Sequence, residues 1–163
     1  MYVFEQIPWE HPETHPLGAL TSDVGNFPFT PPSGLHFHNL QFYVGEPMTG
    51  APVHYHGSAI NALVSGKKRW LLFPPHNASY SKVPAATWGR SPEKLTRLRE
   101  RGLHFATCVQ PADSAMFIPA GWGHAVLNLE ASVGGALEFH LDDDLTWSFE
   151  QRATDATATA ERR

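Results

Sequence analysis

Histidine dominates the chemistry that this sequence can offer. Ten of its 163 residues are histidine, against a single cysteine, Cys108. One cysteine excludes an internal disulfide and any CxxC zinc or redox motif. Two histidine motifs stand out. Pro52-Val53-His54-Tyr55-His56-Gly57 puts two imidazoles at i and i+2, which share one face of an extended chain. Pro119-Ala120-Gly121-Trp122-Gly123-His124-Ala125-Val126-Leu127-Asn128 places a third after a glycine-rich turn, where an apolar run begins. His124 is expected to reach the same point from across a barrel. Imidazole suits Fe, Zn, Cu or Ni, and three ligands leave positions open for a substrate. His36-Phe37-His38 repeats the spacing without a second motif and is read as turn or packing residues. His11, His15, His76, His104 and His140 are read as surface or core histidines.

Such motifs need a scaffold of strands that aims side chains inward. From Asn39 onward, NLQFYVG, AINALV, KRWLLF, FATCV, AMFI, AVLNL and SVGGALEF are apolar runs of strand length, bounded by Gly, Pro or Asn. About seven strands in roughly a hundred residues indicate an all-β sandwich or barrel. One helix is expected between the two motifs. Ser91 is its N-cap, Pro92 and Glu93 its first turn, Leu95 and Leu98 its apolar face, and Gly102 its stop. Residues 1–35 hold no Lys or Arg and are read as a partly extended, non-helical entry segment packing on the core. Residues 36–149 form the domain, and 150–163 a polar tail expected to lack fixed structure. Nine of the twelve basic residues lie between Lys67 and Arg101 and are read as a solvated helix face plus strand ends.

Composition narrows the function. Apolar residues make up 42% and charged residues 17%, which excludes wholesale disorder. A net charge of −4 argues against nucleic acid or an anionic membrane as partner, and no run approaches the length of a membrane span. The opening MYVFEQIPWEH has no basic stretch or long apolar run of a secretory signal. Oligomeric state is left open.

The pairing of HxH with PxGxxHxxxN resembles the two motifs of the cupin superfamily, a metal-binding jelly roll. Ile60 and Asn61 stand where cupins place a glutamate ligand, and Asp113 where the second motif opens with glycine. The similarity is more specific to JmjC domains. HYHGSAINALVSGKKRWLLFPP is similar to their metal-binding half, and FIPAGWGHAVLNLEASVGGALEF to their second half. The resemblance implies a double-stranded β-helix with one short inserted helix. It also implies an Fe(II)- and 2-oxoglutarate-dependent oxygenase that hydroxylates or demethylates a protein or peptide side chain. By position, His54 and His124 match the two histidine ligands, and Lys68 the lysine that grips the distal carboxylate of 2-oxoglutarate. Asn61 and Asn128 match polar residues lining the pocket. No separate catalytic acid, base or nucleophile is implied. The compartment stays open between cytosol or nucleus and the endoplasmic-reticulum lumen, where one member of the family resides.

This chain departs from the family pattern in two ways. His56 occupies the position of the carboxylate ligand, so a three-histidine site carries no ligand charge and shifts its metal preference, with other divalent metals as options. Glu138 is an alternative ligand if His56 points away. Ala51 and Ala136 stand where hydroxylase-type members carry threonine. Each lost hydroxyl removes a hydrogen bond worth about 0.5–1.5 kcal/mol, together roughly one to two powers of ten in affinity. Two further readings therefore stand beside the oxygenase. One is a non-catalytic binding module, and the other a three-histidine cupin dioxygenase that needs no 2-oxoglutarate. Trp70, Phe73, Phe117 and Trp122 are read as core or barrel-mouth packing, and Tyr43 and Tyr55 as packing also.

Overall fold

The computed structural model describes residues 1–24, 35–89 and 91–141. The expected tail over 150–163 lies outside the described residues, as does the end of the domain. Eight strands make two antiparallel sheets. They are β1 (Tyr2–Pro8), β2 (Leu35–Gly45), β3 (Ser58–Ser65), β4 (Lys67–Phe73), β5 (Ala106–Pro111), β6 (Ser114–Ile118), β7 (Gly123–Asn128) and β8 (Ser132–Leu141). The larger sheet runs β1-β2-β8-β3-β6 and the smaller β5-β4-β7. The chain belongs to the all-β jelly-roll class, with β2 to β8 matching the seven expected runs.

Period-2 alternation divides each strand between two environments. Lys68 and Trp70 on β4 and His124 and Val126 on β7 face the space between the sheets, where Trp70, Val126 and Ile118 pack together. Leu71, Phe73 and Ala125 face the other way and form a second cluster with Val53, Leu95, Leu103 and Phe105. The insertion after β4 thus covers the outer face of the small sheet. Arg69 pins it by donating to the Gly89 carbonyl at 2.7 Å. Burial on both faces explains why KRWLLF and AVLNL are nearly continuous apolar runs, and all six residues of β7 are buried.

The insertion holds two α-helices where one was expected, α2 (Ala85–Gly89) and α3 (Pro92–Glu100), because α2 is a five-residue turn with too little sequence of its own to signal a helix. The caps of α3 are those expected. The Ser91 side chain accepts from the Lys94 amide, and Gly102 takes φ +84° beyond the last turn. Gly102 N–H donates to Arg99 and Leu103 N–H to Leu98, which is a Schellman closure.

The opening segment differs from its expected form. Tyr2–Pro8 is a full strand paired with β2 over Tyr2↔Gly45 to Pro8↔Asn39. One helical turn, α1 (Leu20–Val24), follows, where no helix was expected. Leu20 and Trp9 pack on Ile7, Leu40 and Leu137, covering the outer face of the large sheet. A five-residue helix with neither a capping box nor a long apolar period leaves no local signal, and tertiary packing stabilises it. Phe117, expected in the core or the barrel mouth, is 55% exposed. It shares a strand with Met116 and Ile118, which take the inward side, and alternation sends it outward against Phe139 at 6.2 Å.

Candidate metal centre

The segment that carries His54 and His56 is an irregular strand laid along β7. Asn128 N–H donates to Thr49 O at 2.8 Å, and Val126 N–H to Ala51 O at 3.0 Å. His54 and His124 then exchange both backbone hydrogen bonds, at 3.0 and 2.7 Å, and Gly121 N–H donates to His56 O at 3.0 Å. His124 is therefore an immediate cross-strand neighbour of His54 and does not reach the site from across the barrel. Directly opposed residues of an antiparallel pair bring their side chains together on one face. Gly50 permits the close approach, since a Cβ there would sit 2.0 Å from Val126 O.

His54, His56 and His124 converge, with one ligand atom of each within 4.8 Å of the others. Ring centroids are 4.2 Å apart for His54–His124, 4.8 Å for His56–His124 and 5.5 Å for His54–His56. His56 thus points into the cluster. In each ring Nδ1 lies against a backbone carbonyl: His54 on Pro52 O at 2.8 Å, His56 on Gly57 O at 2.8 Å and His124 on Trp122 O at 3.1 Å. A carbonyl only accepts, so each Nδ1 carries the proton and each Nε2 presents a lone pair. Fixing the tautomer through the outer nitrogen is how proteins prepare histidines for a metal. Burial also pushes the imidazolium forms away, lowering the His54 pKa and taking that of His124 to about 3. Three pre-oriented imidazole donors suit a divalent ion.

Glu138 is not part of this cluster. Its Oε1 lies 3.6 Å from His56 Nδ1, on the outer side of the ring, and its Oε2 accepts from Gln41 Nε2 at 3.2 Å.

Lys68 shares the cavity with the histidines. Its side chain is 1% exposed, and among the described residues no carboxylate lies within 4 Å of its ammonium. Nζ sits 3.5 Å over the ring of Tyr43 and 5.8 Å from that of Tyr2. Those aromatic faces attract the cation, but burial still lowers its pKa to about 7. Asn61 also faces the cavity and accepts from the Tyr43 hydroxyl at 2.9 Å. Asn128 is not brought to it. It is fully buried, its amide nitrogen directed at Glu46 O and Thr49 Oγ1, and its Oδ1 is without a partner. Ala51 and Ala136, standing where the family pattern has hydroxyls, do line the cavity.

The inner chamber is about 40 Å³ and opens past His54 and His56 to a mouth of about 430 Å³. Tyr43 was expected to be packing, and it also roofs Lys68. Tyr55 lies at the mouth, ring to ring with Tyr80 at 4.5 Å. Tyr2 and Phe4 line both spaces and were missed by sequence reasoning. The alternation of YVFEQI was their one signal. His36, His38 and His140 are stacked at the open end of the β2–β8 pair, with His38 Nε2 and His140 Nδ1 2.6 Å apart.

Comparison with known proteins agrees with this geometry. The chain is similar to JmjC domain-containing protein 8 of Homo sapiens, 31% identical over 94 residues, 56% of this chain and 34% of that protein. It is 30% identical over 108 residues to the bifunctional arginine demethylase and lysyl-hydroxylase psr-1 of Caenorhabditis elegans, covering 56% of this chain and 27% of that protein. It is 31% identical over 104 residues to the 2-oxoglutarate and iron-dependent oxygenase JMJD4 of Gallus gallus, covering 56% and 24%. The chain thus spans about a third or less of the length of these relatives. The family described as JmjC domain, hydroxylase matches residues 41–139, a stretch that runs from β2 through all three clustered histidines to β8, and the chain belongs to the JmjC family.

Proposed function

We propose that this protein is an Fe(II)- and 2-oxoglutarate-dependent oxygenase of the JmjC type, acting on a protein or peptide side chain. One observation carries the reading. Three inward-facing imidazole lone pairs share a cavity with a buried lysine that lacks a carboxylate partner among the described residues. A buried, unpaired ammonium is costly unless a ligand completes it. Relatives named as an arginine demethylase and lysyl-hydroxylase and as an iron-dependent oxygenase support the same class.

The donor set fits the metal, since the three proton-bearing Nδ1 atoms leave three Nε2 atoms for it. His54, His56 and His124 would hold iron, and Lys68 would take the distal carboxylate of 2-oxoglutarate through a charge-assisted bond. Asn61 would flank it. When bound, iron and 2-oxoglutarate reduce O2, placing one oxygen atom in the substrate and one in succinate as CO2 leaves. The chain's own part is positioning and exclusion. Trp70, Ile118 and Val126 keep water from the inner chamber, and the aromatic mouth at Tyr55 and Tyr80 admits the substrate side chain.

A second reading is a JmjC-fold binding module without turnover. His56 in place of the carboxylate ligand and the two alanines facing the cavity favour it. Anaerobic titration with Fe(II) and 2-oxoglutarate separates the two. The oxygenase gives a visible charge-transfer band that is lost in Lys68→Ala. Bound iron without a band leaves the binding module, or a three-histidine dioxygenase whose turnover Lys68→Ala would not affect.

A further inference from the structure

The family places a carboxylate at the position of His56, and its loss leaves a ligand set of three neutral imidazoles. We propose that Glu138 returns the missing negative charge from behind the ligand, as a positioning residue for His56. This rests on the reading that the three histidines hold a divalent metal.

The three rings are not equivalent. His54 and His124 meet backbone carbonyls at Nδ1, from Pro52 and Trp122. His56 meets the Gly57 carbonyl at 2.8 Å and in addition has Glu138 Oε1 3.6 Å from the same nitrogen. The imidazole that stands in for an anion is thus the one with an anion behind it. Glu138 is itself held, since Gln41 Nε2 donates to its other oxygen at 3.2 Å. The two side chains are 18% and 20% exposed, so water screens the pair only in part. The Gly57 carbonyl takes the Nδ1 proton and fixes the ring, while the carboxylate, too far for a hydrogen bond, acts through space: its charge polarises the ring and raises the donor strength of Nε2. It also places a negative charge near the ion without using a coordination position.

The geometry follows from the crossing between sheets. Residues 49–56 pair with β7, and from Ser58 the chain pairs with β8, Ser58↔Phe139 and Ala59↔Glu138. His56 stands where the chain changes sheets and so meets the inward residue of β8.

The test is Co(II) affinity of the full chain, read by absorption, in five forms: parent, Glu138→Gln, Glu138→Asp, His56→Asp and the double variant of His56→Asp with Glu138→Gln. Glu138→Gln is expected to weaken Co(II) binding about tenfold in the parent. In the His56→Asp background the same change is expected to cost nothing, because the ligand set then carries its own charge. Glu138→Asp, which keeps the charge, should retain part of the affinity. An equal loss in both backgrounds would mark Glu138 as merely structural and overturn the inference. So would unchanged affinity of Glu138→Gln in a parent that binds Co(II). A parent that takes up no Co(II) at millimolar concentration defeats the metal-centre reading itself, a distinguishable failure. Glu138→Gln is nearly isosteric, and unfolding of the metal-free forms at the same temperature confirms that affinity is compared between folded proteins.

Discussion

Binding of 2-oxoglutarate is expected to weaken steeply as pH rises through neutrality, because Lys68 must be charged to receive a carboxylate. Burial holds the pKa of Lys68 at about 7 in the ligand-free protein. With that pKa the charged fraction falls from about three-quarters at pH 6.5 to about 3% at pH 8.5, and apparent affinity scales with the competent fraction. The dissociation constant should therefore rise about 25-fold across that window. A bound carboxylate raises the lysine pKa again, so binding at pH 8 should take up nearly one proton. Burial moves four other groups of the cavity away from neutrality. The His54 and His124 pKa values are pushed down, and those of Tyr2, to about 12, and Tyr43 are pushed up. Anaerobic calorimetry of the Fe(II) form in two buffers of different ionisation enthalpy measures affinity and proton uptake together. Lys68→Met should bind weakly at every pH with no slope. A flat profile in the parent, binding without proton uptake, or the same slope in Lys68→Met would refute the role of Lys68.

Other outcomes follow from the same structure. The ligand-free fold should gain stability from pH 7 to about 10.5, because the unfolded lysine keeps its proton across that window and the folded one does not. Thermal unfolding should show this rise, and Lys68→Met should remove it. Gln110→Ala strands the buried Trp70 N–H, now bonded to Gln110 Oε1 at 2.9 Å, and should cost about 1–3 kcal/mol in a denaturant titration. Gly134→Ala puts a Cβ 2.3 Å from Ala62 O and from the Tyr43 hydroxyl, so stability should fall by about 1–3 kcal/mol and the roof over Lys68 should shift. Ser91→Ala removes the N-cap of α3, remote from the cavity, and should cost about 1 kcal/mol with 2-oxoglutarate affinity unchanged.

Much of this protein was legible in the order of its residues. Seven apolar runs gave seven strands, since short apolar runs, alternating or continuous, bounded by turn residues can be read without the partner strand. The Ser91-Pro92-Glu93 start and Gly102 stop of α3 were equally local, because caps are satisfied within a few residues. The motif spacing brought His54 and His56 to one face for the same reason. Tertiary structure decided what these parts do to one another. His124 became the cross-strand neighbour of His54 because residues 49–56 pair with β7, and register is set by hydrogen bonds between distant segments. The burial of Lys68, the roof formed by Tyr43 and the placing of Tyr2 in the cavity all depend on which sheet faces which. So does the position of Glu138, 82 residues from His56 in sequence yet 3.6 Å from its ring. Local periodicity tells which way a side chain points, whereas the packing of the two sheets determines what it meets there.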